Sequence, residues 1–235
     1  MSDQYTYPGD ELSLFQHATN WKKYFFSRLM PYVKGDVLEA GAGLGANTKW
    51  LYNNKITHLV LLEPDTEMSL LLKEKVESDK TKKNITVING TLNEVTDQRF
   101  DAILYIDVLE HIEKDREEMM KAVSLLKPNG HLVVLSPAFQ SLYSPFDKEI
   151  GHYRRYTKKQ LRKITPRLLR LVKLQYLDSI GFFASAANRM MLKQSSPSIK
   201  QVHLWDKWMI PVSKFTDKLF FHSFGKSILG IWQKT

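Results

Sequence analysis

The chain contains no cysteine. A disulfide scaffold, a zinc–thiolate site, an iron–sulfur cluster and a cysteine nucleophile are therefore excluded. Chemistry must come from carboxylates, imidazoles, hydroxyls and amines, and the absence fits a reducing compartment. No apolar run approaches the ~18 residues that suggest a membrane span. The opening Met1-Ser2-Asp3-Gln4-Tyr5 has neither the basic n-region nor the apolar h-region of a secretory leader. A cytoplasmic location is expected, including attachment to the face of a membrane. Internal repeats and low-complexity stretches are also lacking. Acidic residues are scarce in one region: residues 152–235 hold 17 of the 34 Lys and Arg but only 3 of the 25 Asp and Glu, a net +14. Residues 1–151 carry net −5. Such asymmetry suits an anionic partner for the C-terminal third, or a solvated basic face.

What is present is ordinary for a globular chain of 235 residues, with 43% apolar and 25% charged side chains. Leu14, Trp21, Phe25 and Leu29 recur at helical spacing, so a helix is expected over 11–30, ended by Pro31. Strands are expected at 36–40, 58–63, 85–89, 100–106 and 131–135, each a largely apolar run. Helices should lie between them, starting near Ala46, at Thr66–Val76 and at Lys114–Leu126. The alternation indicates βαβ units, a parallel sheet and right-handed crossovers, hence a doubly wound α/β fold. Farther on, Thr157-Lys158-Lys159-Gln160 reads as a capping box opening a helix. A sixth strand fits 168–177 and a last one 227–233. Helices fit 181–192 and 205–221, with 194–201 as a polar linker.

Glu39-Ala40-Gly41-Ala42-Gly43-Leu44-Gly45 lies where the first strand meets the first crossover. Glycines there permit positive φ and let a ligand lie against bare backbone. The dinucleotide fingerprint is G-x-G-x-x-G. Here the spacing is G-x-G-x-G, with an acid two residues ahead. A carboxylate is poor company for a pyrophosphate and good company for an ammonium or sulfonium. Glu63 ends the second strand, placed for a ribose hydroxyl pair, and Asp107 ends the fourth. Three acids at one sheet edge suit a cationic nucleoside.

Val37-Leu38-Glu39-Ala40-Gly41-Ala42-Gly43-Leu44-Gly45, Leu61-Leu62-Glu63-Pro64-Asp65, the run 100–112 and Leu126-Lys127-Pro128-Asn129-Gly130-His131-Leu132 stand in order and register. Together they resemble the motifs of the class I S-adenosylmethionine (SAM)-dependent methyltransferases, over about residues 33–165. The resemblance implies a mostly parallel seven-stranded sheet, with an N-terminal helix and a helical cap inserted before the last strand. It divides the chain into an N-terminal helical segment (1–32), a SAM-binding core (33–180), a cap (181–223) and the final core strand (224–235). Gly41, Gly43 and Gly45 would line the methionine and ribose. Glu39 would approach the amino group, and Glu63 would hold the ribose with Pro64 and Asp65 beside the adenine. Asp107, with Val108, would face the methionine side. Many members bind the adenine amine through Gly-Asp or Asp-Ala after strand three; this chain has Asn89-Gly90-Thr91-Leu92 there, so Gly90, Thr91 and Leu92 take that place.

The acceptor side draws on the loop after strand five, where Tyr143, Asp147, His152, Tyr153, Arg154, Arg155 and Tyr156 gather. His152, His111 and Tyr143 are the candidate catalytic groups. Arg154 and Arg155 are expected to keep the His152 imidazole neutral, the form a general base needs. Asp107-x-x-Glu110-His111 also resembles the metal-binding acid-x-x-Glu-His of ubiquinone-pathway and plant small-RNA methyltransferases. That makes Asp107, Glu110, His111 and His152 a candidate set for a divalent cation. Expected acceptors are an oxygen or nitrogen of a small molecule or of a lipid- or glycan-linked compound. The alternatives are an RNA 2′-O-methyltransferase and a SAM-binding protein without turnover. No nucleic-acid recognition module is visible. The interleaved Trp, Phe and Lys of 205–221 suit cap-helix core or an anionic membrane surface.

Overall fold

A computed structural model describes residues 7–8, 14–79, 83–95, 97–189 and 197–235. Strands β1 (Gly35–Ala40), β2 (Ile56–Glu63), β3 (Ile85–Asn89), β4 (Phe100–Ile106), β5 (Leu126–Pro137), β6 (Leu169–Leu177) and β7 (Ser227–Lys234) form one sheet. The order is β3-β2-β1-β4-β5-β7-β6. β1 to β5 pair in parallel, and β7 runs antiparallel to both β5 and β6. The sheet is therefore the expected seven-stranded, mostly parallel one. Leu38, Val60, Ile103 and Val134 are fully buried on one face, and Val37, Leu61, Leu104 and Val133 on the other. Strands covered on both faces need apolar side chains at every position, which is why they read as continuous runs.

Chain order reverses between β1 and β4, so loops on opposite sides part there and leave a crevice at the strands' C-terminal ends. The register sets Glu39 beside Leu61 and Glu63 beside Asn89, one strand-end apart. Helices α1 (Thr19–Leu29), α2 (Thr48–Leu51), α3 (Thr66–Ser78) and α4 (Asp115–Leu125) belong to the first half. Helices α5 (Pro145–Glu149) and α6 (Lys158–Ile164) follow β5. Between β6 and β7 come α7 (Ser179–Ala187), α8 (Ile199–Leu204), a π-helical turn (Trp205–Met209) and α9 (Ile210–Leu219).

Several boundaries differ from the expected ones. The helix expected over 11–30 breaks at Gln16-His17-Ala18 and restarts at Thr19, while residues 9–13 lie outside the described residues. The Asp206 carboxylate, from the far end of the chain, accepts the Asn20 and Trp21 amides at 3.1 and 2.8 Å and caps α1 there. The helix expected near Ala46 is only the single turn α2, because Gly41, Gly43 and Gly45 all take left-handed φ (67°, 54° and 70°). β5 begins at Leu126, before Pro128-Asn129-Gly130. The linker expected at 194–201 ends early: the Ser198 capping box opens α8 at Ile199, and 190–196 lie outside the described residues. The Thr157 capping box opens α6 as expected.

The helices between β6 and β7 are tied to the rest of the molecule by buried acids. Asp178 caps α7 through the Gly181 amide and accepts the Trp205 indole (2.7 Å) and the Ser213 hydroxyl (2.7 Å). Asp217 accepts the Tyr24 hydroxyl of α1 at 2.7 Å and the Asp178 and Ser179 amides at 2.8 Å.

Candidate active site

The glycine loop is held from both sides. The Gly41 and Ala42 amides donate to the Leu62 carbonyl. The Glu63 carboxylate accepts the Gly43 amide at 2.7 Å through Oε2 and the Asp65 amide at 3.0 Å through Oε1. Each oxygen keeps a further lone pair, so Glu63 both fixes the loop and can accept from a ligand hydroxyl. A Cβ on Gly41 would stand 2.6 Å from Val108, and one on Gly45 2.6 Å from Leu72. The loop packs this tightly only with glycine. A cavity of about 320 Å³ adjoins it, lined by Gly45, Thr48 and Leu72 among others.

Glu39 is buried at the tip of β1. Its Oε1 accepts the Asn47 amide nitrogen at 2.9 Å, and its Oε2 is buried with no hydrogen-bond partner. Burial pushes its pKa up to about 7, against the Asn47 hydrogen bond and the charge of Lys22, which lower it. The Lys22 ammonium donates to the other side of Asn47 at 2.6 Å. Burial lowers its own pKa, although Glu39 and Asp107 pull it back up. Asn47 and Lys22 escaped the sequence reading. The available signal was a lysine on the apolar face of α1, between Trp21 and Phe25.

The remaining residues expected on the cofactor side gather at the same edge and do different structural work. The Asp65 carboxylate caps α3 through the Met68 amide (2.9 Å) and accepts the Tyr7 amide (2.8 Å). Thr91 caps the turn at 92–94: its amide and hydroxyl donate to Glu94 at 2.6 and 3.0 Å. Gly90 has φ 148°, and a Cβ there would press on Glu94. Leu92 is buried and Pro64 half-buried. Asp107 is exposed, in left-handed conformation at φ 54°, with half-buried Val108 behind it.

Of the residues expected on the acceptor side, His111 and His152 come together with Glu110. His152 Nδ1 lies 2.9 Å from Asp147 Oδ1, and its Nε2 faces Glu110 Oε1 at 3.9 Å. Arg155 donates from Nε and Nη2 to the two Asp147 oxygens, both at 2.8 Å, and Ser144 bonds Asp147 as well. The His111 and His152 rings meet edge to face at 4.5 Å, and Tyr7 approaches His111 from the other side at 5.5 Å. Tyr143 donates its hydroxyl to the His152 carbonyl at 2.6 Å, so it shapes the loop rather than offering a free phenol.

The expected neutral His152 needs correction. Arg154 turns away to Asp115 and the Glu113 carbonyl, and Arg155 is taken up by Asp147. Burial depresses the His152 pKa, but the Asp147 hydrogen bond and the charges of Glu110 and Asp147 outweigh it, leaving the imidazole above its ordinary value. Burial pushes the Glu110 carboxyl upward. His111 falls to about 3 through burial and the nearby His152 charge, so it stays neutral. Asp147 stays below the usual carboxylate range: burial would raise it, and its bonds from His152 and Arg155 prevail. The sequence reading gave Asp147 no role.

A divalent cation has a fit here. Ligand atoms of Glu110, His111 and His152 lie within 4.8 Å of one another, and both Glu110 oxygens and His111 Nδ1 are buried without hydrogen-bond partners. Asp147 would orient His152 as carboxylates orient metal-bound imidazoles. Asp107, expected in this set, stands outside that cluster among the described residues.

Residues 38–134 match the family model of a methyltransferase domain. No curated protein sequence matches the chain. Solved structures do match. A SAM-dependent methyltransferase from Clostridium acetobutylicum aligns with TM-score 0.61 and 11% identity, over 92% of each chain. The N-methyltransferase NodS from Bradyrhizobium japonicum, in complex with S-adenosyl-L-homocysteine (SAH), aligns at 0.58 and 15%, over 96% of this chain and 93% of NodS. Coclaurine N-methyltransferase bound to N-methylheliamine and SAH aligns at 0.60 and 12%, over 92% of this chain and 72% of its own. At these identities the likeness is one of fold.

Proposed function

With residues 38–134 carrying a methyltransferase domain on the class I methyltransferase fold, we propose that this chain moves a methyl group from SAM to an oxygen or nitrogen of a small or lipid- or glycan-linked acceptor. The observation that carries the reading is Glu63 at the sheet edge, its carboxylate fixed on Gly43 and Asp65 with lone pairs left for a ribose. The unpartnered Glu39 oxygen fits an ammonium, and the left-handed glycines leave bare backbone for the ligand. SAM supplies an activated methyl on a sulfonium, already an excellent leaving group. The protein then aligns the acceptor, excludes water and takes a proton. His152, in its deprotonated form, accepts that proton at Nε2. Asp147 holds the ring through Nδ1 and stabilises the imidazolium that results. Arg155 fixes Asp147. The test is transfer of labelled methyl from SAM into lipid, glycan, metabolite and RNA pools. Label in one non-RNA pool supports the reading. Label in RNA alone, or in no pool, overturns it.

A second reading rests on the unpartnered Glu110 and His111 atoms. A divalent cation on Glu110, His111 and His152 would polarise an acceptor hydroxyl in place of a base. Chelation would then abolish turnover, and Mg²⁺ or Mn²⁺ would restore it.

A further inference from the structure

The C-terminal third contains three acids, Asp178, Asp206 and Asp217, and all three are buried in hydrogen bonds that hold the cap to the core. The described surface of residues 152–235 therefore presents cations with no Asp or Glu among them. The charge asymmetry of the sequence is thus carried onto the surface of this segment, whose own acids are all buried.

Residues 199–219 run as one helical rod through α8, the π-turn and α9. Trp205, Ile210, Ser213 and Asp217 face inward. Leu204, Trp208, Val212, Phe215 and Leu219 face outward, 50–69% exposed, at steps of four, four, three and four residues. Those steps make a single stripe along the rod. Lys200, Lys207 and Lys218 are exposed beside it, with the Lys207 ammonium 5.4 Å from the Trp208 ring, while half-buried Lys214 lays its ammonium 5.8 Å from the Tyr24 ring. Past the helix end the apolar surface continues through Phe221, 87% exposed.

From this juxtaposition of an outward apolar stripe and a row of exposed lysines on a segment whose own acids are all buried, we infer that the outer face of the 199–219 rod docks on an anionic lipid bilayer. The inference is independent of the methyl-transfer reading. Contiguous apolar stripes on a water-facing helix mark a partner. A second copy of this face would bring lysines against lysines. A nucleic acid would satisfy the lysines but leave Leu204, Val212 and Leu219 in water. A bilayer surface satisfies both, with Trp, Phe and Leu at the headgroup–acyl boundary and ammonium groups on lipid phosphates. Among the described residues no helix is long and apolar enough to cross a membrane, so the rod lies on the surface.

Trp208 provides the readout. It is 64% exposed, whereas Trp21, Trp205 and Trp232 are buried and Trp50 is half-buried. The full chain is mixed with phosphatidylcholine vesicles, with or without a third of phosphatidylglycerol, and with vesicles carrying brominated acyl chains. The expected result is sedimentation with the phosphatidylglycerol vesicles, quenching by bromine that Trp208→Phe largely removes, and at least about tenfold weaker partitioning for Phe215→Glu/Leu219→Glu. Thermal melting of that variant at the wild-type temperature shows that the fold is intact. No sedimentation with anionic vesicles overturns the inference. So does binding without bromine quenching, or partitioning unchanged in the double variant. Dimerisation abolished by Phe215→Glu, without vesicle binding, would assign the face to self-association instead.

Discussion

Glu110 and His152 face each other across 3.9 Å, with 0% and 8% of their side chains exposed. Behind His152, Asp147 receives Arg155 on both carboxylate oxygens. A buried imidazole between two acids holds its proton more tightly than one in water, and Glu110 is itself kept toward the neutral form by burial. In the proposed methyl-transfer reading, this pair handles the acceptor's proton.

Turnover should therefore rise with pH through a midpoint above the ordinary histidine value, because the base form of His152 appears only there. Removing the Asp147 charge removes one of the influences raising that midpoint. Asp147→Asn should shift the acidic limb of the kcat profile to lower pH. A limb that stays in place, or moves up, would show that another group titrates.

His152→Ala should leave SAM affinity unchanged and lower kcat by about 10²–10⁴-fold, the usual contribution of a positioned base. Stopped turnover measured per folded molecule, alongside calorimetry with SAM, separates this from loss of fold. Normal kcat in a variant that merely melts early would reduce His152 to packing.

Gly43 sits at φ 54° with its amide on Glu63. A β-branched side chain is strained there. Gly43→Val should weaken SAM binding by at least about tenfold, equivalent to 1.4 kcal/mol. Undiminished affinity by calorimetry would remove the loop from the binding site.

Glu63→Ala deprives the Gly43 and Asp65 amides, and in the proposed reading the ribose, of one acceptor group. SAM affinity should fall by about 1–3 kcal/mol. Nucleoside analogues without ribose hydroxyls should lose less affinity than SAM does in the variant; continued discrimination by the variant between SAM and these analogues would show that Glu63 does not hold the ribose.

Asp217 is fully buried and accepts from Tyr24, Asp178 and Ser179. Asp217→Ala strands three donors, and each unsatisfied buried donor costs about 1–3 kcal/mol. Urea unfolding should show a loss of at least about 3 kcal/mol. A loss below about 1 kcal/mol would mean that water replaces the carboxylate.

The sheet was legible because doubly covered strands must be apolar throughout, as in Val60, Leu61 and Leu62. The Thr157 cap was legible because its partner Gln160 is three residues away. What escaped depends on partners distant in sequence. Asp206 ends α1 from 185 residues away through Trp21. Lys22 reaches Asn47 and thereby Glu39, and Asp147 takes up the Arg155 charge that a linear reading would set against His152. The outer stripe of the 199–219 rod was visible as mixed aromatics and cations. Which face lay inward was decided by the buried Asp206 and Asp217, which no periodicity announces.

The central claim is that the crevice over Gly41, Gly43, Gly45 and Glu63 holds SAM. Titration calorimetry of the full chain with S-adenosylhomocysteine, beside Gly43→Val and Glu63→Ala as folded controls, tests it most directly. The expected result is one molecule bound per chain, with affinity reduced in both variants. Saturable binding that neither variant alters, or no binding to the wild-type chain, would contradict the account.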